Sequence, residues 1–226
     1  MKPYYEDEWV QIYHGDCREI LPSLPKVDLV LTDPPYNAGK DYGTYKDNLD
    51  ASAYNDFMRE VITKSQTVSD YIAIYSDSHR FRLFWDILPN ASPIFLHIQA
   101  NGFGNSQNIR QDHHVILTTA KSNESTSSIW NGIRVLREGY FFREVKTGHP
   151  CQTSEQAMAK FISLFTQPDS VVLDPFVGSG TTLRAAIDLN RKCIGIEIEE
   201  KYCEIAAKRC SQQVFDFTPT NKGETG

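Results

Sequence analysis

Several things are scarce in this chain, and each scarcity narrows its class. It holds no apolar run long enough to cross a bilayer, which takes about 20 residues in a helix, so a membrane-spanning class is not expected. Cations are in the minority: 23 Lys and Arg against 29 Asp and Glu leave a net charge of -6. A protein that grips nucleic acid by bulk charge is usually basic, so any such contact here needs basic residues gathered locally. Cysteine is sparse and odd in number, five in all, and the spacing of Cys17, Cys151, Cys193, Cys203 and Cys210 repeats as neither a disulfide framework nor a zinc pattern. Reduced thiols in a cytoplasmic compartment are the expectation. Histidine gives no metal spacing, since His113 and His114 would face opposite sides of a strand, and no metal is expected. Met1 to Trp9 is polar and acidic and does not read as a signal peptide.

What is present suits a globular core. Hydrophobic content of 40% over 226 residues fits one domain, 1–226, with a polar tail over 218–226 that is expected to fray. Short apolar runs read as strands at Val10–Tyr13, Val27–Thr32, Tyr71–Tyr75, Pro93–Gln99, His114–Ala120, Val171–Leu173 and Lys192–Ile196. Between them, Asp16–Leu24, Ala53–Thr67, Ser78–Leu88, Ala157–Thr166, the stretch ending near Leu189 and Glu200–Gln212 read as helical. Thr153 with Gln156 fits a capping box, and Asn37–Leu49 is polar and reads as a loop. Alternating strands and helices imply a mainly parallel α/β sheet whose ligands sit beyond the carboxyl ends of the strands. Asp16, Asp33, Asp174 and Glu197 each fall just after a strand and could face one crevice.

Two motifs carry chemistry. The first is Asp174-Pro175-Phe176-Val177-Gly178-Ser179-Gly180-Thr181-Thr182, a strand end, a glycine turn and a helix start, with Glu197 closing the next strand 17 residues after Gly180. Gly-x-Gly alone is a common packing turn. With an acid before it and another after the next strand, it suits a ligand bearing a ribose diol. A dinucleotide loop would carry a third glycine to admit pyrophosphate to the helix N-terminus. An acid there repels phosphate and attracts an amino group or sulfonium, which favours S-adenosylmethionine over NAD or ATP.

The second is Asp33-Pro34-Pro35-Tyr36. An exocyclic amine is a poor nucleophile because its lone pair is delocalised into the ring. Accepting hydrogen bonds from both of its N–H groups pulls the nitrogen toward tetrahedral geometry. Asp33 can accept one through its carboxylate and stabilise charge developing on nitrogen. The Pro34 carbonyl, held by consecutive rings, can accept the other. Tyr36 offers a face on which a base can stack, worth about 1–3 kcal/mol in comparable sites.

Together with Gly15-Asp16-Cys17 and His149-Pro150-Cys151-Gln152, these motifs resemble the amino-methyltransferases of DNA, which make N6-methyladenine or N4-methylcytosine. The resemblance runs from about Trp9 to Cys210. The catalytic motif precedes the glycine motif, as in the permuted group called beta. The resemblance implies a class I S-adenosylmethionine-dependent methyltransferase: α/β and Rossmann-like, with seven strands, mostly parallel, and helices on both faces. It implies that Asp16 and Cys17 hold the cofactor's adenine and that Glu197 takes the ribose. Asp174, Phe176, Gly178 and Gly180 would line the methionine half, with Pro175, Thr181, His149 and Gln152 as further cofactor contacts. The family's histidine-proline motif usually continues Thr-Gln-Lys-Pro, and this chain departs from that with Cys151-Gln152-Thr153-Ser154.

An aspartate opening the catalytic motif usually goes with adenine, so the resemblance favours N6 of an adenine flipped out of duplex DNA. Cytosine N4, an RNA or protein amine, and an inactive subunit of a methyltransferase heterodimer are the alternatives. The setting would be a bacterial or phage orphan enzyme or the partner of a restriction enzyme, acting on double-stranded DNA in the cytoplasm, with a homodimer left open. Target recognition can fall only in 122–146, which is very short. Its Arg134, Arg137 and Arg143, with Lys40 and Lys46 near the catalytic motif, are the candidate DNA contacts. The aromatic and basic residues of 122–146 also suit an amphipathic surface strand or a dimer contact.

Overall fold

The computed structural model describes residues 1–40, 43, 45–77, 80–99, 111–120, 129–130, 133–136 and 155–212. These form one sheet of ten strands with six α-helices. In chain order the strands are β1 (Tyr5–Glu6), β2 (Val10–His14), β3 (Leu29–Thr32), β4 (Ile72–Asp77), β5 (Ser92–Gln99), β6 (Gln111–Thr118), β7 (Ile129–Trp130), β8 (Ile133–Leu136), β9 (Val171–Asp174) and β10 (Lys192–Glu197). The helices are α1 (Cys17–Ile20), α2 (Ala51–Gln66), α3 (Phe81–Ile87), α4 (Glu155–Phe165), α5 (Thr181–Asp188) and α6 (Glu200–Cys210). Among the described residues no helix is long and apolar enough to cross a membrane, and no cluster of His, Cys, Asp and Glu could hold a metal ion.

Across the sheet the order is β1-β2-β10-β9-β3-β4-β6-β5-β8-β7. The five strands from β2 to β4 are parallel throughout. Beyond them β6 runs antiparallel to both β4 and β5. The seven strands expected from periodicity are all present and adjacent in space. The other three are β1, β7 and β8, of two to four residues. Strands that short show no alternation to read.

The parallel strands are buried on both faces because their side chains alternate into two separate cores. Leu29, Leu31, Ala73, Tyr75, Val172 and Cys193 pack with α4, α5 and α6. Their sequence neighbours Val30, Ile72, Ile74, Leu173, Ile194 and Ile196 pack on the opposite side with α1, α2 and α3. Each fully buried Leu, Ile or Val contributes about 1.5–3 kcal/mol. A one-residue slip of any central strand would exchange one core's residues for the other's.

Local signals set the helix starts. Asp50 caps α2, its Oδ1 accepting from the N–H groups of Ser52 and Ala53 at 3.0 and 3.1 Å. The helix therefore begins two residues before the Ala53 expected from apolar spacing. Arg191 is buried between helix ends, donating to the Thr166 carbonyl at 2.9 Å and to that of Leu189, so it satisfies carbonyls ending α4 and α5. Thr153 of the expected capping box and the tail over 218–226 lie outside the described residues.

Gly195 in β10 is fixed by contact. A Cβ there would lie 2.6 Å from Val177 Cγ2 and 2.9 Å from Leu183 Cδ1, both buried. Gly195→Ala is expected to destabilise the fold by about 1–3 kcal/mol in urea denaturation. A midpoint equal to wild type would show that the core yields there at no cost.

Candidate active site

The sheet order decides what meets at the strand ends. β2, β10, β9 and β3 are consecutive neighbours, so Asp16, Glu197, Asp174 and Asp33 stand side by side along the carboxyl edge. All four line one cavity of about 490 Å³, within the roughly 300–1,000 Å³ of small-molecule sites. The chain leaves β9 through α5 toward β10 and leaves β3 through α2 toward β4, so the connections diverge between β9 and β3 and open a crevice there.

On the β9–β10 side, backbone amides orient the carboxylates. Glu197 Oε2 accepts from Gly178 N–H at 2.8 Å and Oε1 from Glu199 N–H at 2.9 Å. Gly178 adopts φ 50 and Gly180 φ 84, left-handed values that favour glycine. Asp174 is 2% exposed, and its Oδ1 accepts from Thr32 Oγ1 at 2.7 Å and Phe176 N–H at 3.0 Å. Burial raises both Asp174 and Glu197 above the ordinary carboxylate range, against the lowering effect of these donors. Asp16 goes the other way. It caps α1 by accepting from Arg18 N–H at 2.8 Å, and the Arg18 guanidinium beside it holds it below that range. Burial pushes the Cys17 thiol up to about 12, so Cys17 is an inert apolar wall.

Three rings extend the wall. Phe57 of α2 lies 5.8 Å from Tyr45 and 5.9 Å from Phe176, centroid to centroid, and the Arg18 guanidinium sits 5.2 Å from the Phe57 centroid. Among the described residues the lining acids are Asp16, Asp33, Asp56, Glu60, Asp174 and Glu197, against the single cation Arg18. Arg18 is itself bound to Asp16 and 3.6 Å from Glu60. This wall repels phosphate and suits a ligand that carries positive charge.

On the β3 side the tetrapeptide is held at several points. Tyr36 Oη donates to Asp33 Oδ1. Tyr54 Oη donates to the Pro35 carbonyl at 2.8 Å, whereas among the described residues no donor reaches the Pro34 carbonyl. The Arg80 guanidinium lies 5.2 Å from the Tyr36 ring centroid, a cation–π contact.

A family model described as DNA methylase matches residues 27–208. The chain belongs to this family of DNA methylases. The type II methyltransferase M.HpaI of Haemophilus parainfluenzae is 28% identical over 220 residues, covering 84% of this chain and 70% of that protein. The crystal structure of an M1.HpyAVI–SAM complex is 28% identical with a TM-score of 0.66, covering 90% of this chain and 100% of that one. The cytosine-N4-specific PvuII DNA methyltransferase has a TM-score of 0.71 at 20% identity, covering 94% of this chain and 90% of that one, which is a likeness of fold.

Within this DNA methylase the cavity gathers residues named from sequence alone: Asp33, Pro34, Pro35 and Tyr36 with Asp16, Cys17, Asp174, Pro175, Phe176, Gly178, Thr181 and Glu197. Gly180 is off the wall. A Cβ there would meet Ala206 of α6 at 3.0 Å, so its backbone packs on a helix. Lys40 and Lys46 are exposed on the segment after the tetrapeptide. Arg134 falls on β8, paired in register with Ile94. His149, Gln152, Arg137 and Arg143 lie outside the described residues. Phe57, Tyr45, Tyr54, Arg80 and Glu199 carried no motif, and only the fold brings them to the site.

The raised acids predict a pH dependence. Between an acid's unfolded value and its higher folded value the native state binds more protons, so stability falls as pH rises through that window. Thermal melts of the cofactor-free protein at pH values rising from about 4, the ordinary carboxylate value, are expected to show this fall. Asp174→Asn, which keeps an acceptor for Thr32, is expected to flatten it. An unchanged slope would show that Asp174 titrates as an ordinary carboxylate.

Proposed function

We propose that this DNA methylase transfers a methyl group to N6 of an adenine flipped out of duplex DNA, with Asp33 and the Pro34 carbonyl as the two amine acceptors. The observation that carries the reading is that the tetrapeptide and Glu197 share one cavity across the β9–β3 divergence. Methylation of an exocyclic base amine in DNA is the activity of the family. S-adenosylmethionine is the methyl donor.

The wall fits that donor. Its acids outnumber its one cation, and the sulfonium and amino groups are positive. Glu197 presents a carboxylate already oriented by two amides, and each oxygen keeps a lone pair for a ribose hydroxyl. Asp16, Cys17, Phe57 and Tyr45 offer an apolar and polar edge for an adenine ring, and Asp174, Phe176 and Gly178 border the methionine half. When bound, S-adenosylmethionine supplies a methyl group on a positively charged sulfur.

The rest is the work of the chain. Pro34 lacks an N–H and its φ is locked, so its carbonyl direction is set by the ring pair. Asp33 accepts the other amine N–H, and its charge opposes the positive charge developing on nitrogen. Tyr36, whose ring lies 5.2 Å from the Arg80 guanidinium, is the proposed stacking ring for the base. Stacking worth about 1–3 kcal/mol offsets part of the few kcal/mol needed to unstack a base. Adenine is favoured over cytosine because the motif opens with aspartate. Residues 122–146, with β7 and β8 at the sheet edge beyond β5, are the proposed target-recognition segment of this single catalytic domain. Lys40, Lys46, Arg134, Arg137 and Arg143 are the proposed phosphate contacts.

Labelled-methyl transfer to unmethylated genomic DNA followed by nucleoside analysis tests the reading, with N6-methyladenine expected to carry the label. Label in N4-methylcytosine would overturn the choice of base. Asp33→Ala is expected to lower transfer by roughly a hundredfold or more while cofactor affinity stays within about twofold. A collapse of cofactor affinity would contradict this division of roles. Glu197→Ala is expected to weaken cofactor binding by about tenfold or more by calorimetry. An unchanged affinity removes it from the ribose.

A further inference from the structure

We propose that Asp47 is a positioning residue for the target base, acting through the backbone of Tyr36 and not through the cofactor. The proposal rests on Tyr36 being the stacking surface for the base. Asp47 lies in a polar segment outside every motif, yet it is 2% exposed. Its Oδ1 accepts from Asn37 N–H at 2.7 Å, and its Oδ2 from Ala38 N–H at 2.9 Å and Lys40 N–H at 3.1 Å. Its carbonyl accepts from Gly39 N–H at 2.6 Å. Four successive amides, those of residues 37–40, therefore converge on one residue directly downstream of the tetrapeptide. A buried carboxylate is tolerated only where its lone pairs are met in this way.

The backbone it clamps is not a relaxed one. Asn37 has φ 51, in the left-handed region, and persists there because it is held on several sides. Its Nδ2 donates to the Leu49 carbonyl at 2.8 Å, and its Oδ1 accepts from Leu49 N–H at 2.7 Å. On the other side of Tyr36, Tyr54 fixes the Pro35 carbonyl. The peptide groups flanking Tyr36 are thus both anchored, upstream by Tyr54 and downstream by Asp47. The ring is held between Asp33 at its hydroxyl and Arg80 over its face. None of these anchors belongs to β9, β10 or the glycine turn. Removing one should misplace the base and leave the cofactor half as it is.

The test uses the full chain and compares Asp47→Asn, Asp47→Ala and Asn37→Gly with wild type for labelled-methyl transfer to unmethylated genomic DNA and for S-adenosylmethionine affinity. Asp47→Asn replaces one acceptor oxygen with a donor that faces backbone N–H groups. It is expected to lower kcat about tenfold and raise KM for DNA, with cofactor Kd within about twofold, because small misplacements at a reacting centre cost rate. Asp47→Ala is expected to lose more. Asn37→Gly adopts the left-handed backbone freely, keeps the Asp47 clamp and loses only the Leu49 pair, so a loss of a few-fold is expected. Should the Asp47→Asn and Asp47→Ala variants not fold, Asp47→Glu, which keeps the carboxylate and shifts it by one methylene, carries the test, with kcat expected to fall and cofactor Kd to stay within about twofold. Unchanged kcat and KM overturn the proposal, as does a cofactor Kd that weakens in step with activity. An inactive wild type sinks the methyltransferase reading and this inference with it. An active wild type with indifferent variants sinks this inference alone.

Discussion

The hydrogen bond from Thr32 Oγ1 to Asp174 Oδ1, 2.7 Å long and buried, is the constraint on which the site depends. It joins the ends of β3 and β9, the two strands between which the connections diverge. Thr32 immediately precedes Asp33, and Asp174 also takes the N–H of Phe176 at the start of the glycine turn. One carboxyl group therefore sets the distance between the tetrapeptide and the loop that faces it. Backbone pairing of Leu29 with Val172 and Val30 with Leu173 fixes the register only up to the residues before the crevice. Beyond that the strands part, and a side-chain bond must carry the register forward. A hydrogen bond to a charged acceptor contributes about 1.5–3 kcal/mol, and here it offsets part of the desolvation, which still raises Asp174.

The acidity of the cavity follows from the same arrangement. Every strand end in the row from β2 to β3 supplies a carboxyl group, and the one lining cation is consumed by Asp16 and Glu60. Two of the four strand-end acids are raised by burial and one is lowered by its arginine, so the row is graded in proton affinity. A cationic donor sits well against such a wall. The polyanion must meet the protein elsewhere, which is why a chain of net charge -6 needs its basic residues set apart from this cavity.

Much of this was legible in the sequence because it rests on short-range pattern. Buried strands of period two, the Asp-Pro-Pro-Tyr turn and the glycine loop are each written in consecutive residues. So was the prospect of four acids in one crevice, since each follows a strand. The sheet's outer strands were not legible, because β1 and β7 have only two residues each and β8 lies in a stretch that mixes apolar and basic residues. Gly180 reads as a ligand contact in sequence, where a glycine needed for close packing on α6 looks identical to one needed for a ligand. Asp47, Tyr54, Arg80 and Glu199 were invisible for a different reason. Each is an ordinary polar residue whose meaning comes from a partner brought near by the fold, as when Tyr45 N–H meets Glu199 Oε1 across 154 positions.

The two halves of the site are stiffened in different ways, and this bears on how they work. The half proposed for the cofactor is built at the ends of the sheet: its carboxylates are aimed by amides of the glycine turn and of the residue two beyond β10. It is formed once the sheet is formed. The half proposed to accept the amine is built on a loop that follows β3. Its rigidity comes from prolines and from side chains that seize backbone groups, Tyr54 on Pro35 and Asp47 on Asn37. In the proposed reaction, an amine activated by two hydrogen-bond acceptors depends on the angle of those acceptors more than on their basicity. Angular precision on a loop cannot come from burial and must come from directional bonds. The buried Asp47 is thus the same solution as the double proline, applied a few residues later in the chain.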